Sequence, residues 1–460
     1  MRVAVLGAGI AGLTSAHAIR REAKRRGEPV AIEIFEAGSR AGGRIHTTSE
    51  SGFLIEWAAN AFRTGVGPTQ TLVSELGMED ERVEATAAAN RRYLFQGGRL
   101  HLLPADPISM LGFGAISPGA RARVLAEPFF ARRVAREETV HDYAARHIGE
   151  EAAHVMLGTL VRGVYAGDSR KLSLDAAFPK MREMERDHRS LVVAAILGRK
   201  ERKREAKTLW SFARGMGSLM DRIAASFGNA LAFKSPALAL SRAPDFAAPT
   251  PFTVRFANGE AKSYDAVVVA TPAREAAALL RDLDRDAANV IREIPAAGVA
   301  MVALAFRAET FRTKPDGYGF LVAPGETISI LGALFESNIF PGRAPEGYVL
   351  VRIILGGVHQ PDLLTRSDAD LVGIACQALD KSLGLKGGPE KTWIGRQEAA
   401  IPQYVLGHNA RIEGVAKRLA AFPGLHLAGN AYRGISVGSI VEDADQVAAR
   451  VVGRRGQSSV

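Results

Sequence analysis

The sequence predicts a mixed α/β (α+β) fold assembled from segments that are far apart along the chain. Three observations support this prediction. A strand, a glycine-rich turn, a helix and a second strand follow one another within the first 36 residues. Two more buried strands, at 264–270 and 425–428, come more than 200 residues later. Helical spacing dominates from about 105 to 207, and apolar strand-like runs occupy 299–306, 318–322, 328–335 and 348–355.

The opening segment has the arrangement of a Rossmann-like dinucleotide-binding unit. Residues 2–6 form a short buried strand, followed by a helix over 13–23 and a strand over 31–35. The glycines have G-x-G-x-x-G spacing, which gives a tight turn, a close backbone approach to a pyrophosphate, and close packing of helix on strand. An acidic residue ends the second strand, where a carboxylate meets ribose hydroxyls. The predicted contacts are Gly7, Gly9, Ile10, Ala11, Gly12, Glu36 and Ala37.

A second glycine pair, Gly42-Gly43, precedes Arg44 and indicates which dinucleotide is bound. The two glycines let the chain pass close to a cofactor, and the Arg44 guanidinium can neutralise a pyrophosphate with a fixed fork of donors. The segment 36–44 resembles the second conserved stretch of the FAD-containing oxidases that include amine oxidases, phytoene desaturases and protoporphyrinogen oxidases. The resemblance implies FAD as the cofactor.

Composition sets the broad class. A chain of 460 residues is too long for one core and suits two or three domains. Its single Cys376 excludes internal disulfides and argues against a cysteine-rich metal site, and no metal is predicted. No signal peptide or apolar run of spanning length is expected. The net charge of +10 could favour anionic lipid or acidic small molecules, whereas no nucleic-acid module is recognisable. The basic run at 199–207 is interpreted as a solvated helix end, with a membrane contact as the alternative.

The remaining elements follow from caps and periodicity. Thr139 is predicted to cap a helix that ends at Gly149, and helical spacing continues over 150–162. Later come a helix at 217–227, strands at 237–240 and 252–256, and a helix after Val437.

Several stretches narrow the resemblance to the protoporphyrinogen oxidase family, the oxygen-dependent flavoenzymes late in haem biosynthesis. They occur in family order over nearly the whole chain, at 92–104, 163–191, 319–343, 401–408 and 427–434. The resemblance implies an FAD-binding domain (1–62, 215–275 and 395–460), a mixed-sheet substrate domain (63–91, 208–214 and 276–394), and a helical domain (92–207) that docks on a membrane without crossing it. A cytoplasmic protein at the membrane face is therefore expected. The patch 108–116, with Arg121, Arg123, Arg132 and Arg133 nearby, is interpreted either as a headgroup contact or as core or homodimer contact.

Family likeness also implies site residues. Arg92 would bind a propionate of a porphyrinogen. The apolar slot that holds this substrate would be lined by Gly319, Leu321, Leu334 and Ile354. Asn60 would lie near the reacting carbon, but Trp57 and Ala59 replace the Gly and Pro that some relatives have in this turn. The further expected FAD contacts are Ala237, Gly429, Asn430, Ile435, Ser436 and Val437.

The implied reaction is repeated hydride removal from a ring-bridging carbon to flavin N5, with dioxygen as acceptor. FAD performs the redox chemistry and the protein supplies position and a dry site. The implied substrate is protoporphyrinogen IX. Three alternatives stay open. The substrate could instead be coproporphyrinogen III, whose extra carboxylates would require more cations, with Arg91 and Arg99 as candidates. The protein could also be another FAD oxidase of the same fold, such as an amine oxidase or carotenoid desaturase, or a non-enzymatic flavoprotein or porphyrin-binding partner.

Overall fold

A parallel five-stranded sheet is the centre of the cofactor-side half of the molecule. The computed structural model describes residues 1–63, 67–194, 196–197, 209–243 and 251–453. In spatial order the strands are Leu231–Ala232, Ala31–Phe35, Arg2–Leu6, Ala266–Val269 and Leu425–Leu427. The central strand is buried on both faces, which is why it reads as an unbroken apolar run. The five strands of the sheet together come from all three of the separate segments predicted to form the FAD-binding domain.

Helices and a small sheet cover the two faces of this parallel sheet. On one face pack the helices Ile10–Arg26, Pro68–Glu75, Gly217–Ala225 and Val437–Val452. On the other lie the antiparallel strands Ala237–Arg242, Phe252–Phe256 and Ala261–Tyr264, with the helices Ala273–Leu280, Arg285–Arg292 and His408–Leu419. The single strand predicted at 264–270 is two strands separated by Asp265, whose carboxylate accepts the backbone N–H of Arg2 at 2.5 Å.

A mixed seven-stranded sheet forms the other half. Its spatial order is Lys391–Pro402, Ala296–Arg307, Tyr348–Gly356, Gly332–Leu334, Gly319–Val322, Arg92–Gln96 and Arg99–Leu102. The helix Asp368–Leu383 covers one face, where the alternating apolar residues of the strands form a core. The predicted strand at 328–335 is shorter than expected, and the hairpin at 92–102 belongs to this sheet although it starts the segment predicted to be helical. The strand Lys391–Pro402 spans residue 395, where the predicted substrate domain ends and the predicted FAD-binding domain resumes. The domain boundaries stay a prediction.

Short helices make up most of the segment after that hairpin. They are Pro107–Met110, Pro118–Leu125, Glu127–Phe130, Val140–Ile148, Glu150–Ala152, Gly158–Tyr165, Leu174–Ala177 and Pro179–His188. The Thr139 hydroxyl accepts the Asp142 N–H at 3.0 Å, which confirms the predicted cap. The helix predicted over 150–162 contains a π-helical turn at Ala153–Leu157. The basic run at 199–207 lies outside the described residues.

Small elements join the two halves. The hairpin Thr47–Glu50 and Phe53–Glu56 leads into a three-stranded sheet of Phe62–Arg63, Leu209–Phe212 and Arg82–Glu84. Short helical turns lie at Glu79–Glu81, Ala87–Asn90, Gly228–Ala230, Ala308–Thr310, Glu336–Ile339 and Pro361–Thr365.

Candidate active site

The three glycines of the first turn have different surroundings. Gly7 has φ +102°, and a Cβ there would lie 2.9 Å from the carbonyl oxygen of Ala270. A Cβ at Gly12 would lie 1.9 Å from the carbonyl oxygen of Gly7, so this glycine is required for the helix to pack on the turn. Gly9 is different, because the nearest atom to an added Cβ would be 4.0 Å away. Its open side faces a cavity, as expected of a backbone that a ligand approaches.

The second glycine pair lies directly against the first turn. Gly42 donates its N–H to the carbonyl oxygen of Ala8 at 2.8 Å, and Gly42 and Gly43 have φ values of +94° and +56°. Arg44 lines the same cavity and donates to the carbonyl oxygen of Ala399. Burial lowers the pKa of Arg44, with Glu275 opposing the shift, but a guanidinium stays charged in proteins. The permanently charged Arg44 therefore lies beside two glycine turns whose backbone carries no side chains on the cavity side.

Glu36 ends its strand with its carboxylate tied to the backbone. One oxygen accepts the N–H of Ala8 at 2.8 Å and the other accepts the N–H of Gly38 at 2.8 Å. Ala37 and, from a distant segment, Ala237 line the cavity beside it. This arrangement places an acceptor at the end of the strand Ala31–Phe35, where ribose hydroxyls would be bound.

Residues from the C-terminal segment complete the candidate cofactor-binding site. We call this site, with the two glycine turns, Glu36 and Arg44, the cradle. Gly429 has φ +128° and lines the cavity with Asn430, Ile435 and Val437. Ser436 does not line it. Instead its hydroxyl caps the last helix by accepting the N–H of Ser439 at 3.1 Å.

Acidic residues early in that last helix make ion pairs. Asp443 is 3.1 Å from the guanidinium of Arg433, and Asp445 is 2.6 Å from that of Arg21. They therefore anchor the helix, and neither lines the cavity.

A cavity of about 770 Å³ runs from this cradle to the seven-stranded sheet. At its first end are the glycines, the N-terminus of the helix Ile10–Arg26, which has no side-chain cap, and Arg44. Free N–H groups and a fixed cation suit a pyrophosphate. At its second end the lining is mostly apolar, and it includes Trp57, Val164, Val299, Met301, Ile354 and Ile401. The residues present fit a dinucleotide whose reactive ring reaches an apolar compartment.

One face of the seven-stranded sheet brings together the five predicted slot residues. Arg92, Gly319, Leu334 and Arg352 are register partners across four neighbouring strands, and Leu321, Gly332, Ile354 and Met301 form the next row on the same face. Ile354, Met301 and Arg352 line the cavity. Leu334, Gly319 and Arg92 lie one, two and three strands farther across, so Arg92 is about 14 Å from Arg352 along the sheet.

Gly319 is required by the backbone itself. A Cβ there would lie 2.1 Å from the carbonyl oxygen of Ala333. Leu321 packs behind the cavity, against Gly163.

A buried polar cluster connects the cavity wall to Arg92. The Arg352 guanidinium is 2.7 Å from the carboxylate of Glu336, which accepts the Asn60 amide at 3.3 Å. The Asn60 carbonyl oxygen is 3.4 Å from the Tyr318 hydroxyl, and the Arg92 guanidinium lies 5.0 Å from the centre of the Tyr318 ring. Burial raises the pKa of Tyr318, which therefore stays a neutral donor. Asn60 itself is buried behind the cavity and does not line it.

Trp57 forms part of the cavity wall. Its indole N–H donates to the Thr48 hydroxyl at 2.8 Å, and its six-membered ring lies over Gly395, where an added Cβ would be 2.5 Å from Cζ3. The bulky replacement in this turn is therefore accommodated by a glycine on the facing strand.

Comparison with known proteins agrees with this geometry. The model of the flavin containing amine oxidoreductase family matches residues 10–452. The chain belongs to that family. Like its members, this flavin oxidoreductase uses FAD, so the cofactor and the enzyme class predicted from the sequence are both confirmed.

Two curated relatives of this flavin oxidoreductase cover almost its whole length. The protoporphyrinogen oxidase of Bos taurus is 31% identical and covers 98% of each chain. The coproporphyrinogen III oxidase of Bacillus subtilis (strain 168) is 26% identical and covers 96% of this chain and 95% of its own. A crystal structure from Exiguobacterium sp. 255-15 superposes with a TM-score of 0.85 at 22% identity, over 98% of this chain and 99% of that one, and shows the common fold. The predicted resemblance to the protoporphyrinogen oxidase family is confirmed.

Sequence reasoning missed Arg352, Glu336 and Tyr318. One signal was available: Arg352 interrupts an otherwise apolar strand, and a charge at such a position requires a buried partner. The identity of that partner depends on the fold, because Glu336 and Tyr318 belong to other elements.

Proposed function

We propose that this flavoenzyme oxidises a porphyrinogen in haem biosynthesis, with protoporphyrinogen IX as substrate and protoporphyrin IX as product. The observation that carries the proposal is the shared sheet face, which extends from the cofactor-side cavity to an exposed arginine. A reduced tetrapyrrole is apolar at its centre and carboxylated at its rim. It therefore suits an apolar wall at one end and a cation at the other.

The residues of the chain act by binding and positioning. Bound FAD supplies the hydride acceptor, for which the glycine turns, Glu36 and Arg44 form the holding site. Ile354, Met301 and Trp57 provide an apolar surface that excludes water from the reacting carbon. Arg92 is exposed and stacked on Tyr318, so its guanidinium is oriented and still available to a carboxylate. Dioxygen is the proposed final acceptor.

Coproporphyrinogen III is the second candidate, because the Bacillus subtilis relative is named for it. Its additional carboxylates would need additional cations, and Arg91 is already paired with Asp316 at 2.5 Å. Aerobic turnover with each porphyrinogen, followed by porphyrin fluorescence and oxygen uptake, tests the choice. We expect kcat/KM to be higher for protoporphyrinogen IX, and a higher value for coproporphyrinogen III would transfer the assignment to the second candidate.

We further propose that the enzyme docks on the cytoplasmic face of a membrane through the short helices after residue 106. Ile108, Leu111, Phe129 and Phe130 have exposed fractions of 76, 61, 87 and 57%. Met110, Phe113 and Ile116 of the predicted patch are instead core residues. Among the described residues, no helix has both the length and the apolarity to cross a bilayer. Anionic vesicles should bind the wild type and should not bind Phe129→Asp. If Phe129→Asp binds vesicles like the wild type but loses a dimer that light scattering detects in the wild type, the patch would be assigned to self-association.

A further inference from the structure

We propose that Arg352 and Glu336 form a positioning pair that fixes the turn 56–60 as a wall of the substrate cavity. The inference rests on the proposed function, since it concerns where a porphyrinogen would lie beside the cofactor. It assigns to two buried residues a role that is distinct from cofactor binding and from contact with the substrate carboxylates.

Arg352 holds the backbone of the turn at two points. Its Nη1 donates to the carbonyl oxygen of Glu56 at 3.0 Å and to that of Ala58 at 2.6 Å. The residue between these carbonyls is Trp57, whose side chain lines the cavity. The planar guanidinium binds both carbonyls through Nη1 while its Nε lies against Glu336, and a single ammonium nitrogen of lysine holds such a set of acceptors less well.

Glu336 holds the other end of the same turn. Both of its carboxylate oxygens lie 3.3 Å from the amide nitrogen of Asn60, and one of them pairs with Arg352 at 2.7 Å. The side chains of the pair are 4% and 1% exposed, so water contributes little to their solvation. Together the two residues restrain the turn from residue 56 to residue 60.

The energetics argue that this pair serves more than stability. Transferring two charges into the interior carries a desolvation penalty, and an apolar pair of similar volume is often equally stable or more stable. The turn also lacks a proline that would restrict its backbone, since its residues after Glu56 are Trp57, Ala58, Ala59 and Asn60. The ion pair therefore supplies a restraint that the local sequence does not.

The same pair is connected to the exposed arginine at the far end of the slot. Asn60 contacts Tyr318, and Tyr318 lies under Arg92. A shift of the turn would therefore be transmitted both to the apolar wall at Trp57 and to the cation that we propose for the substrate carboxylate.

A double replacement by apolar residues tests the proposal. Arg352→Met alone would leave a buried carboxylate unpaired and could unfold the protein, so Arg352→Met/Glu336→Leu is compared with the wild type as FAD-loaded enzymes. We expect the double variant to bind FAD, to change the visible circular dichroism of the flavin, and to lose about ten- to hundredfold in kcat/KM for protoporphyrinogen IX. Arg352→Lys should recover part of the activity but not all of it.

The matched control is an exposed ion pair on the same sheet. Arg307 and Glu390 lie 2.9 Å apart, and Arg307→Met/Glu390→Leu should leave both readouts unchanged. Wild-type kcat/KM and an unaltered flavin dichroism in the Arg352/Glu336 double variant would overturn the proposal, as would full recovery by lysine. If the wild type oxidises no porphyrinogen, the proposed function fails, while the dichroism still reports on the pair.

Discussion

The six-membered ring of Trp57 packs directly on the backbone of Gly395, across the cavity from the cofactor cradle. An added Cβ at Gly395 would lie 2.5 Å from Cζ3 and 2.7 Å from Cε3 of the indole. The two residues are more than 300 positions apart in the chain, and each restricts what the other can be. A large side chain in the turn requires the smallest residue on the strand.

Substitutions at these two positions should therefore be coupled. Gly395→Ala should lower the melting temperature of the holoenzyme, because the methyl group displaces the indole. In the Trp57→Ala background the same change should be tolerated, with a coupling free energy of at least about 1 kcal/mol in a double-mutant cycle. Gly373→Ala is the control, because a Cβ added at Gly373, in the helix Asp368–Leu383, would have no atom within 4 Å. Additive effects of the Trp57 and Gly395 changes would refute this contact.

The first and third glycines differ from the second in what a methyl group would do. Gly9→Ala keeps a permitted backbone conformation, with φ −72°, and puts the methyl into open space. The apoprotein should stay folded, and its FAD affinity should fall at least about tenfold, or ~1.4 kcal/mol. Gly12→Ala should destabilise the apoprotein itself, because its Cβ meets the Gly7 carbonyl. Flavin titration and thermal unfolding of both apoproteins distinguish these outcomes, and normal FAD binding by Gly9→Ala would count against the cradle.

Glu56 should make the stability of the protein depend on pH. Burial raises the pKa of Glu56 to about 7 from an ordinary 4.5, although the Met216 N–H, the Thr47 hydroxyl and Arg343 favour the charged form. The folded state therefore holds this proton more tightly than the unfolded chain does. Its stabilising contribution is complete below about pH 4.5 and is lost as the pH rises through about 7.

Glu56→Gln removes that titration. Relative to the wild type, its free energy of unfolding in urea should increase by about 1 to 3 kcal/mol between pH 5 and pH 8. Replacement of the exposed Glu346 by Gln should leave the wild-type profile unchanged. Parallel profiles for the wild type and Glu56→Gln would contradict the account of Glu56.

Arg92 and its neighbour Arg91 provide a matched pair of arginines. Arg91 is paired with Asp316, whereas Arg92 is stacked on Tyr318 and presents its charge to solvent. Arg92→Ala should raise KM about tenfold with little change in kcat, because a contact with the rim of the substrate acts on ground and transition states alike. Arg91→Ala should resemble the wild type. Steady-state kinetics with protoporphyrinogen IX would exclude Arg92 from the site if the two variants behaved alike.

Local sequence patterns were sufficient for the first strand, turn and helix of the cofactor side. The strand, the glycine turn, the helix and Glu36 lie within 36 residues, and each residue has a requirement that the sequence itself expresses, such as a positive φ at Gly7. The Thr139 cap was predictable for the same reason, since the capping contact spans three residues.

The substrate side depends on contacts between distant strands, which no local pattern encodes. Arg92 and Gly319 become neighbours through a parallel pairing of strands that lie more than 200 residues apart. The Gly395 requirement arises only because Trp57 packs there, and the role of Arg352 depends on Glu336 and on carbonyls in the turn 56–60. Sequence reasoning placed the slot residues on strands. That they share one face of the sheet depends on the pairing register of those strands, which only the structure shows.

Anaerobic mixing of the FAD-loaded enzyme with protoporphyrinogen IX tests the central claim most directly. We predict that the flavin absorbance bleaches at a rate that saturates with porphyrinogen concentration, that porphyrin fluorescence appears, and that oxygen restores the absorbance. A flavin that stays oxidised with protoporphyrinogen IX and with coproporphyrinogen III, yet is bleached by an amine, would contradict the account.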